Sequence, residues 1–486
     1  MNALGKAWLG LHAWGGLLFS WLLVPIFVAG SLAVFEPEIG HWMQPEVDAR
    51  PLLPEIAAGL AEARLRTVGE GAALWRVRLP SAREPAIGIG WGNNPRQLNE
   101  ALLAADGQSL SPRATHGGRF FTDFHAELLL GRNGRWLIGA VGIVMLASIV
   151  SGIFIHHRIL RDFFTFRPRA NRRRAWLDIH NLLGVALLPF LLVITYSGVV
   201  VLAEAFMPAA TQVLYDGKAG GPRADAVRAF LRPASGQPAS MRPLAEQLAG
   251  AEAVLGVGKV GSLTVRQSGD RNATVQAHRS VDDRLAAVAD HVTLDAVDGR
   301  LLAQQTDWNP MTYAYRAQVG LHVVHFGGPI MRGLYFVCGL LGAAMMAAGS
   351  VIFLNKRRQR HGEDLLQRFL EGCACASVGG ILLACLAYLM SNRLLPAILP
   401  SRKEWEVGAF FLAWGLALAH ALWRGRRAWR TQLLLAGGLA LALPGLDLAT
   451  AGGGDALRGA VDLGAALCGG LLLFAGWRLF RMEVVR

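Results

Sequence analysis

The fold is decided by two stretches: His125-Ala126-Glu127-Leu128-Leu129-Leu130-Gly131-Arg132-Asn133-Gly134-Arg135, and His322-Val323-Val324-His325-Phe326-Gly327-Gly328-Pro329-Ile330-Met331-Arg332. They are two copies of one pattern. A histidine is followed at offsets 6, 10, 17 and 27 by Gly131, Arg135, Gly142 and Gly152 in the first copy, and by Gly328, Arg332, Gly339 and Gly349 in the second. In both, a long uncharged apolar run follows the arginine. A second matched pair lies upstream: His12, Gly16, Gly30, Glu36 and His180, Gly184, Gly198, Glu204 share offsets of 4, 18 and 24. The expectation is a tandem-duplicated four-helix core, with one histidine at each of four equivalent helix ends.

The composition agrees with a membrane setting. Of 486 residues, 53% are hydrophobic and 17% charged, and apolar runs near ~20 residues, the length that crosses a bilayer, recur. A net charge of +13 raises the question of nucleic acid. The Arg and Lys clusters sit in short loops between apolar segments, however, where they set orientation. The expected class is a polytopic α-helical membrane protein with about eight transmembrane helices. The opening apolar run exceeds a typical signal-peptide core and reads as an uncleaved anchor. All five cysteines fall in or beside apolar helices, so no structural disulfide is expected. Without a Cys-x-x-Cys-His, covalent c-type haem attachment is excluded.

Taken in order, residues 1–35 form helix one, 36–134 a polar lobe, 135–157 helix two, 158–175 a basic loop and 176–206 helix three. A second polar lobe (207–317) and helix four (318–355) follow, and 356–486 hold a bundle of about four more spans. Arg158–Arg174 and Lys356–Arg360 fall on one side and place that side, with both termini, in the cytoplasm. The lobes then lie outside, in a Gram-negative periplasm. Each lobe carries a helix-like stretch (53–64; 242–254) and strand-like stretches (73–79; 262–266). Each ends in an Asp-Gly hairpin signal, Asp106-Gly107 and Asp298-Gly299. The second adds a Gly/Pro/Ala-rich loop, 216–238.

A neutral imidazole is a standard axial ligand of haem iron, and two saturate it for electron transfer. Repeats of the same in–out sense are related by an axis along the membrane normal. A haem on that axis takes equivalent ligands from both halves, which pairs His12 with His180 at the inner end and His125 with His322 at the outer end. His125 and the His156 end of helix two are separated by ~46 Å of helix, so two non-covalent b-type haems are expected rather than one. Gly16 and Gly184 clear a helix face for a flat porphyrin, and Arg135 and Arg332 are placed for its propionates. His156, which repeats as Phe353, is an alternative inner ligand. His157 and His325 read as structural. His41, His116, His278 and His291 read as surface residues without metal-ligand spacing. Trp308, Tyr313 and Tyr315 lead into His322 and form either an aromatic floor for a ligand or part of the interfacial belt.

HAWGGL (12–17), FHAELLLG (124–131), SGIFIHHRILRDFFTFRP (151–168), WLDIHNLLG (176–184) and LHVVHFGGP (321–329) resemble the PepSY-associated transmembrane helix family. That family includes iron-regulated membrane proteins and ferric-siderophore reductases. The resemblance covers roughly residues 1–360. It implies two small α+β PepSY lobes, an inner-membrane location, b-type haem and, in the reductase branch, electron delivery to periplasmic ferric siderophore with release of Fe(II). The C-terminal extension departs from the short reductases and leaves donor and acceptor open. The donor is either a quinol or a cytoplasmic flavoprotein, because no Rossmann or flavin loop is visible. The rival readings are a non-redox PepSY sensor or regulatory protein, and an iron-chelate transporter.

Overall fold

The computed structural model describes residues 3–47, 50–155, 172–202, 230–282 and 284–484. The basic loop 158–175 for the most part, the end of the third helix, Glu204 and most of the 216–238 loop lie outside the described residues. Helix α1 (Ala3–Ala33) is followed by a short helix α2 (Glu36–Met43), and α3 (Pro54–Val68) starts with proline at its first turn, where its missing N–H costs nothing. Strands β1 (Leu74–Arg78), β2 (Ile87–Asn94), β3 (Gln97–Leu103) and β4 (Ser109–Leu110) come next, then α4 (Arg119–Glu127) and α5 (Gly131–Ile155). After α6 (Arg172–Ala186) and α7 (Leu188–Val201), the same order recurs: α8 (Leu244–Leu255), then β5 (Val260–Arg266), β6 (Thr274–Arg279), β7 (His291–Asp295) and β8 (Leu301–Gln305), then α9 (Pro310–Val323) and α10 (Gly328–His361). The C-terminal bundle is α11 (Leu365–Cys375) running through a π-helical turn into α12 (Ile381–Leu394), then α13 (Arg402–Arg424), α14 (Arg427–Ala451) and α15 (Ala456–Val484).

Among the described residues, seven helices are long and apolar enough to cross a membrane, and α6 with α7 form an eighth span if counted as one bent pair. The chain is therefore a multi-pass membrane protein. Helix three, expected to be continuous, bends by 64° between Ala186 and Leu188. Pro189, at the start of α7, cannot donate to the preceding turn and breaks the ladder there.

The two lobes, expected as separate bodies, share one eight-stranded antiparallel sheet in the order β4-β3-β2-β1-β5-β6-β7-β8. β1 and β5 join at the centre, with Arg76 opposite Thr264. An unpaired edge strand is a liability, and this pairing removes one from each lobe. The alternation of β1 and β5 turns Trp75, Val77, Leu263 and Val265 onto α3 and α8, where Ala57, Ala61, Leu65, Leu244, Leu248 and Ala251 complete a dry core. Asp106-Gly107 and Asp298-Gly299 make the β3–β4 and β7–β8 turns, each with its glycine in the left-handed region (φ 81° and 79°).

Candidate functional site

The histidines at offset zero do not lie on the spanning helices that follow them. His125 is on α4 and His322 on α9, each a separate helix before the span. Each of these helices ends on a left-handed residue, Leu128 (φ 50°) and Val324 (φ 55°). Gly131 and Gly328, the repeated glycines at offset 6, are left-handed as well (φ 56° and 63°), a backbone that glycine adopts without strain. The chain thus turns a corner between the histidine and the span, and the corner brings the two imidazoles together. Their ring centroids are 5.8 Å apart with 30° between planes.

At the other end of the bundle, His12 on α1 and His180 on α6 line one cavity of about 340 Å³. Its walls are mostly aliphatic, aromatic, glycine and methionine groups, with Gly16, Gly184, Met345 and Phe353 among them, and Ser148, Asn181 and Lys356 as the polar members. The two pairs are separated along α1 by the 18 residues from His12 to Gly30, about 27 Å of helical rise.

One device seats all four rings. A Cβ added to Gly30 would meet His125 at 2.6 Å, one on Gly198 would meet His322 at 2.7 Å, one on Gly349 would meet His180 at 3.1 Å and one on Gly152 would meet His12 at 3.5 Å. Each imidazole therefore lies on a glycine of another helix. Each is also held through Nδ1 by the helix turn before that glycine. His125 donates to the Ile26 carbonyl (2.8 Å), His180 to Met345 (2.8 Å) and His322 to Ile194 (3.0 Å), and every acceptor lies four residues before its glycine. A helical carbonyl keeps a second lone pair, and the missing Cβ opens it to the ring. His12 follows the rule one atom removed. Its Nδ1 meets Ser151 Oγ at 2.9 Å, and Ser151 donates in turn to the carbonyl of Ser148, four residues before Gly152. Ser197 Oγ adds a contact of 3.2 Å to His322 Nδ1.

A carbonyl only accepts, so Nδ1 carries the proton and the lone pair is on Nε2. This is the arrangement that orients a metal-binding histidine. Burial pushes the His125 imidazolium below its ordinary pKa, against the Ile26 bond. Burial, then the charge of His125, brings His322 down to about 4. Both rings are neutral at pH 7, the form that binds a metal. His125 and His322, with their rings 5.8 Å apart, are the pair that would hold one iron between them. The apolar cavity between His12 and His180, with its glycine walls, suits a porphyrin plane. The residues present fit two haems.

The remaining expected site residues divide. Arg135 is paired with Glu127 at 2.9 Å and is exposed. Arg332 has a buried Nε with no hydrogen-bond partner among the described residues, which makes it the better candidate for a propionate. His156 and His157 lie outside the described residues. His325 stands 3.8 Å from Asp282. The Trp308 indole donates to Asp290 at 2.8 Å in the sheet domain, so one member of the aromatic segment is already committed. His41 and His291, expected at the surface, are buried, and His41 is bonded to Asp455 at 2.7 Å. The C-terminal bundle covers the first and a cross-strand neighbour the second. The seating glycines are visible in the sequence repeat. Their use is not, because the acceptor is a backbone atom.

The model of the PepSY-associated TM region matches residues 9–356. The chain belongs to that family. The match takes in all four histidines, both halves of the sheet and α1 to the charged end of α10, and stops before the C-terminal bundle. The chain is also similar to an uncharacterized protein of Pseudomonas aeruginosa, 26% identical over 383 residues, which cover 73% of this chain and 93% of that protein.

Proposed function

We propose that this family member is a di-haem b-type reductase of the bacterial inner membrane, built from two duplicated halves, that delivers electrons to a ferric siderophore on the periplasmic side. The observation that carries the reading is the common seat of the four imidazoles, each on a glycine, three with Nδ1 bound to a carbonyl one helical turn before that glycine and the fourth, His12, through Ser151. A histidine that only packs or snorkels has no need of that seat at four equivalent places.

When bound, the haems supply one-electron carriage between the two ends of the bundle. The chain's part is to hold His12 with His180 and His125 with His322 in opposed pairs, and to keep water from the far cavity with aliphatic walls. It also offers Arg332 to a propionate near the sheet. At the sheet side the acceptor is Fe(III) in a chelate. Hard oxygen ligands hold Fe(II) less well, so its reduction releases iron. The charge rule places the basic loop in the cytoplasm and the sheet in the periplasm. The electron donor is a quinol or a cytoplasmic flavoprotein.

The test is the absorption spectrum of protein purified from haem-replete cells, oxidised and then dithionite-reduced. The expected result is two b-type haems per chain. One equivalent is lost in His125→Ala or His322→Ala, the other in His12→Ala or His180→Ala, and neither in His156→Ala. A colourless wild-type protein would refute the proposal and favour a non-redox sensor.

A further inference from the structure

The sheet has two unlike faces. α3 and α8 cover one. The other faces α2 and the segment before α4 at its β1–β3 end, because Arg78 and Leu102 on it line a cavity of about 190 Å³ with Glu36, Gly40 and His41 of α2 and with His116. Along this face, the register places Arg76, Thr264, Gln276 and Thr293 in one row across β1, β5, β6 and β7. Arg266 stands one rung away, opposite Leu74, and His278 one rung away on the other side, opposite Ser262 and His291.

Strand β2 presents only glycine here. Gly88, Gly90 and Gly92 lie beside Arg78, Arg76 and Leu74, and a Cβ on Gly88 would come within 3.0 Å of the Arg78 guanidinium. The Leu98 side chain lies over Gly90 and Gly92, so the face here is a shallow apolar and glycine strip beside basic side chains. Arg78 is partly neutralised by Glu84 at 3.8 Å, and Glu100 lies on the far side of Gly90. Arg76 and Arg266 make no ion pair among the described residues. The charges acting on His278 are those of His291, Arg76 and Arg266, all basic, and with burial they hold its pKa down to about 4.

Two further atoms are unsatisfied. Among the described residues, Gln276 Nε2 and Thr293 Oγ1 are buried in the same row without a hydrogen-bond partner, on residues that are 6% and 1% exposed. A buried donor left unpaired is costly, and excess positive charge without counter-charge is costly as well. One kind of ligand relieves both: an oxygen-rich anion. The row crosses the junction of the two halves, where Arg76 opposes Thr264.

We infer that the face of the sheet opposite α3 and α8 is a binding site for a polyanionic, oxygen-ligated iron chelate, recognised by Arg76 and Arg266 with Gln276 and Thr293 beneath. The choice of an iron chelate rests on the proposed function; the anionic character rests on the face itself. Guanidinium matches a pair of carboxylate oxygens in two parallel bonds. A cationic or neutral chelate gains nothing there and displaces water from two arginines.

The experiment is equilibrium binding of ferric citrate to the full-length protein in detergent, at low and moderate salt, with haem content measured on the same samples. Wild-type protein should bind ferric citrate in a salt-sensitive way. Arg76→Gln and Arg266→Gln should each weaken binding about ten-fold or more, the loss expected for a charge-assisted hydrogen bond. Arg96→Gln, at the exposed β2–β3 turn, should bind as wild type. Arg76→Lys keeps the charge without the fork and should fall between. Equal binding by Arg76→Gln, or equally tight binding of a cationic chelate of similar size, would overturn the inference. So would a requirement for the same arginines in binding to anionic lipid vesicles, with no citrate binding, since that would make the ligand a headgroup. Arginine-dependent binding to a protein without haem would sustain this site and refute the reductase. Two haems without chelate binding would do the reverse.

Discussion

Replacing each seating glycine by alanine gives a graded test of the four-seat device. The added methyl would stand 2.6 Å from the His125 ring at position 30, 2.7 Å from His322 at 198, 3.1 Å from His180 at 349 and 3.5 Å from His12 at 152. Carbon contacts are comfortable from about 3.5 Å. The ring must therefore retreat by nearly an ångström at positions 30 and 198, by a few tenths at 349 and not at all at 152. Overpacking of this size costs about 1–3 kcal/mol. At positions 30 and 198, retreat also lengthens the Nδ1 bond to the carbonyl, worth roughly 1 kcal/mol more. Haem affinity at the sheet-side pair should fall by about 30-fold to 1,000-fold in Gly30→Ala and Gly198→Ala, taking 1.4 kcal/mol per factor of ten. The fall should be smaller at the far-side pair in Gly349→Ala and absent in Gly152→Ala. Alanine favours the helix over glycine by about 1 kcal/mol, so loss of fold does not explain the order. The assay is haem per chain by pyridine haemochrome, with the potential of each haem by redox titration. Equal behaviour of Gly30→Ala and Gly152→Ala, or full haem retention with unchanged potentials in Gly30→Ala, refutes the seating argument.

Ser151→Ala removes the hydroxyl that holds His12, and should weaken haem at the far-side pair by about 10-fold to 100-fold, the usual effect of losing an orienting partner. Ser197→Ala leaves the Ile194 carbonyl on His322 and should change haem content little; the reverse order would show that the hydroxyls, not the helix turns, do the holding. His278 titrates near 6.5 when unfolded and near 4 when folded. The unfolded chain therefore binds the extra proton, and stability present above pH 6.5 is lost as pH falls toward 4. The loss is a few kcal/mol at most, read as an unfolding midpoint of the sheet domain that drops between pH 7 and pH 5 in wild type but less in His278→Gln. Asp447→Ala leaves Arg393 buried without its acid partner and should cost about 3–5 kcal/mol. That appears as a lower melting temperature with far-side haem retained.

The parts of this architecture that were legible in the sequence are those written in side chains. The offsets put His125 with His322, whose rings lie 5.8 Å apart, and His12 with His180, which line one cavity, because equivalent helices place equivalent residues at equivalent depth. The first copy reads with His125 on a turn ahead of the span that starts at Arg135, but in the second the apolar run over 318–355 reads as one helix that takes in His322, despite Gly327-Gly328-Pro329. The bend in helix three had a signal in Pro189, outweighed by the continuous hydrophobicity around it. What could not be read is what depends on backbone partners far apart in the chain. The pairing of β1 with β5 joins residues nearly two hundred positions apart, and each strand alone looks like the edge of its own lobe. The carbonyls of Ile26, Ile194 and Met345 have no signature of their own; only the glycines four residues later mark them.

The C-terminal bundle, opaque in the sequence, has a physical reading in what it touches. Tyr388 donates to the Gly117 carbonyl at 2.9 Å, just before α4, and its ring stacks on Phe120 at 4.2 Å. Phe124, the residue before His125, packs edge-on against Phe410 and Trp414. Glu406 accepts from Thr115 at 2.6 Å and pairs with Arg402, and both charged groups are fully buried. These contacts clamp the short helix that carries His125, from its entrance to the residue beside the ligand. The helix that carries His322 is tied instead by Tyr335, which donates to the Leu321 carbonyl at 2.8 Å from the following span. One imidazole of the sheet-side pair is thus braced from within the core, and the other by α12 and α13, outside the family match. Loosening the bundle at Tyr388 should therefore move His125 against its partner and shift the potential of the sheet-side haem. The far-side pair, held by α1, α5, α6 and α10, should not respond. A Tyr388→Leu protein in which both potentials move together would show that the bundle supports the whole core rather than α4.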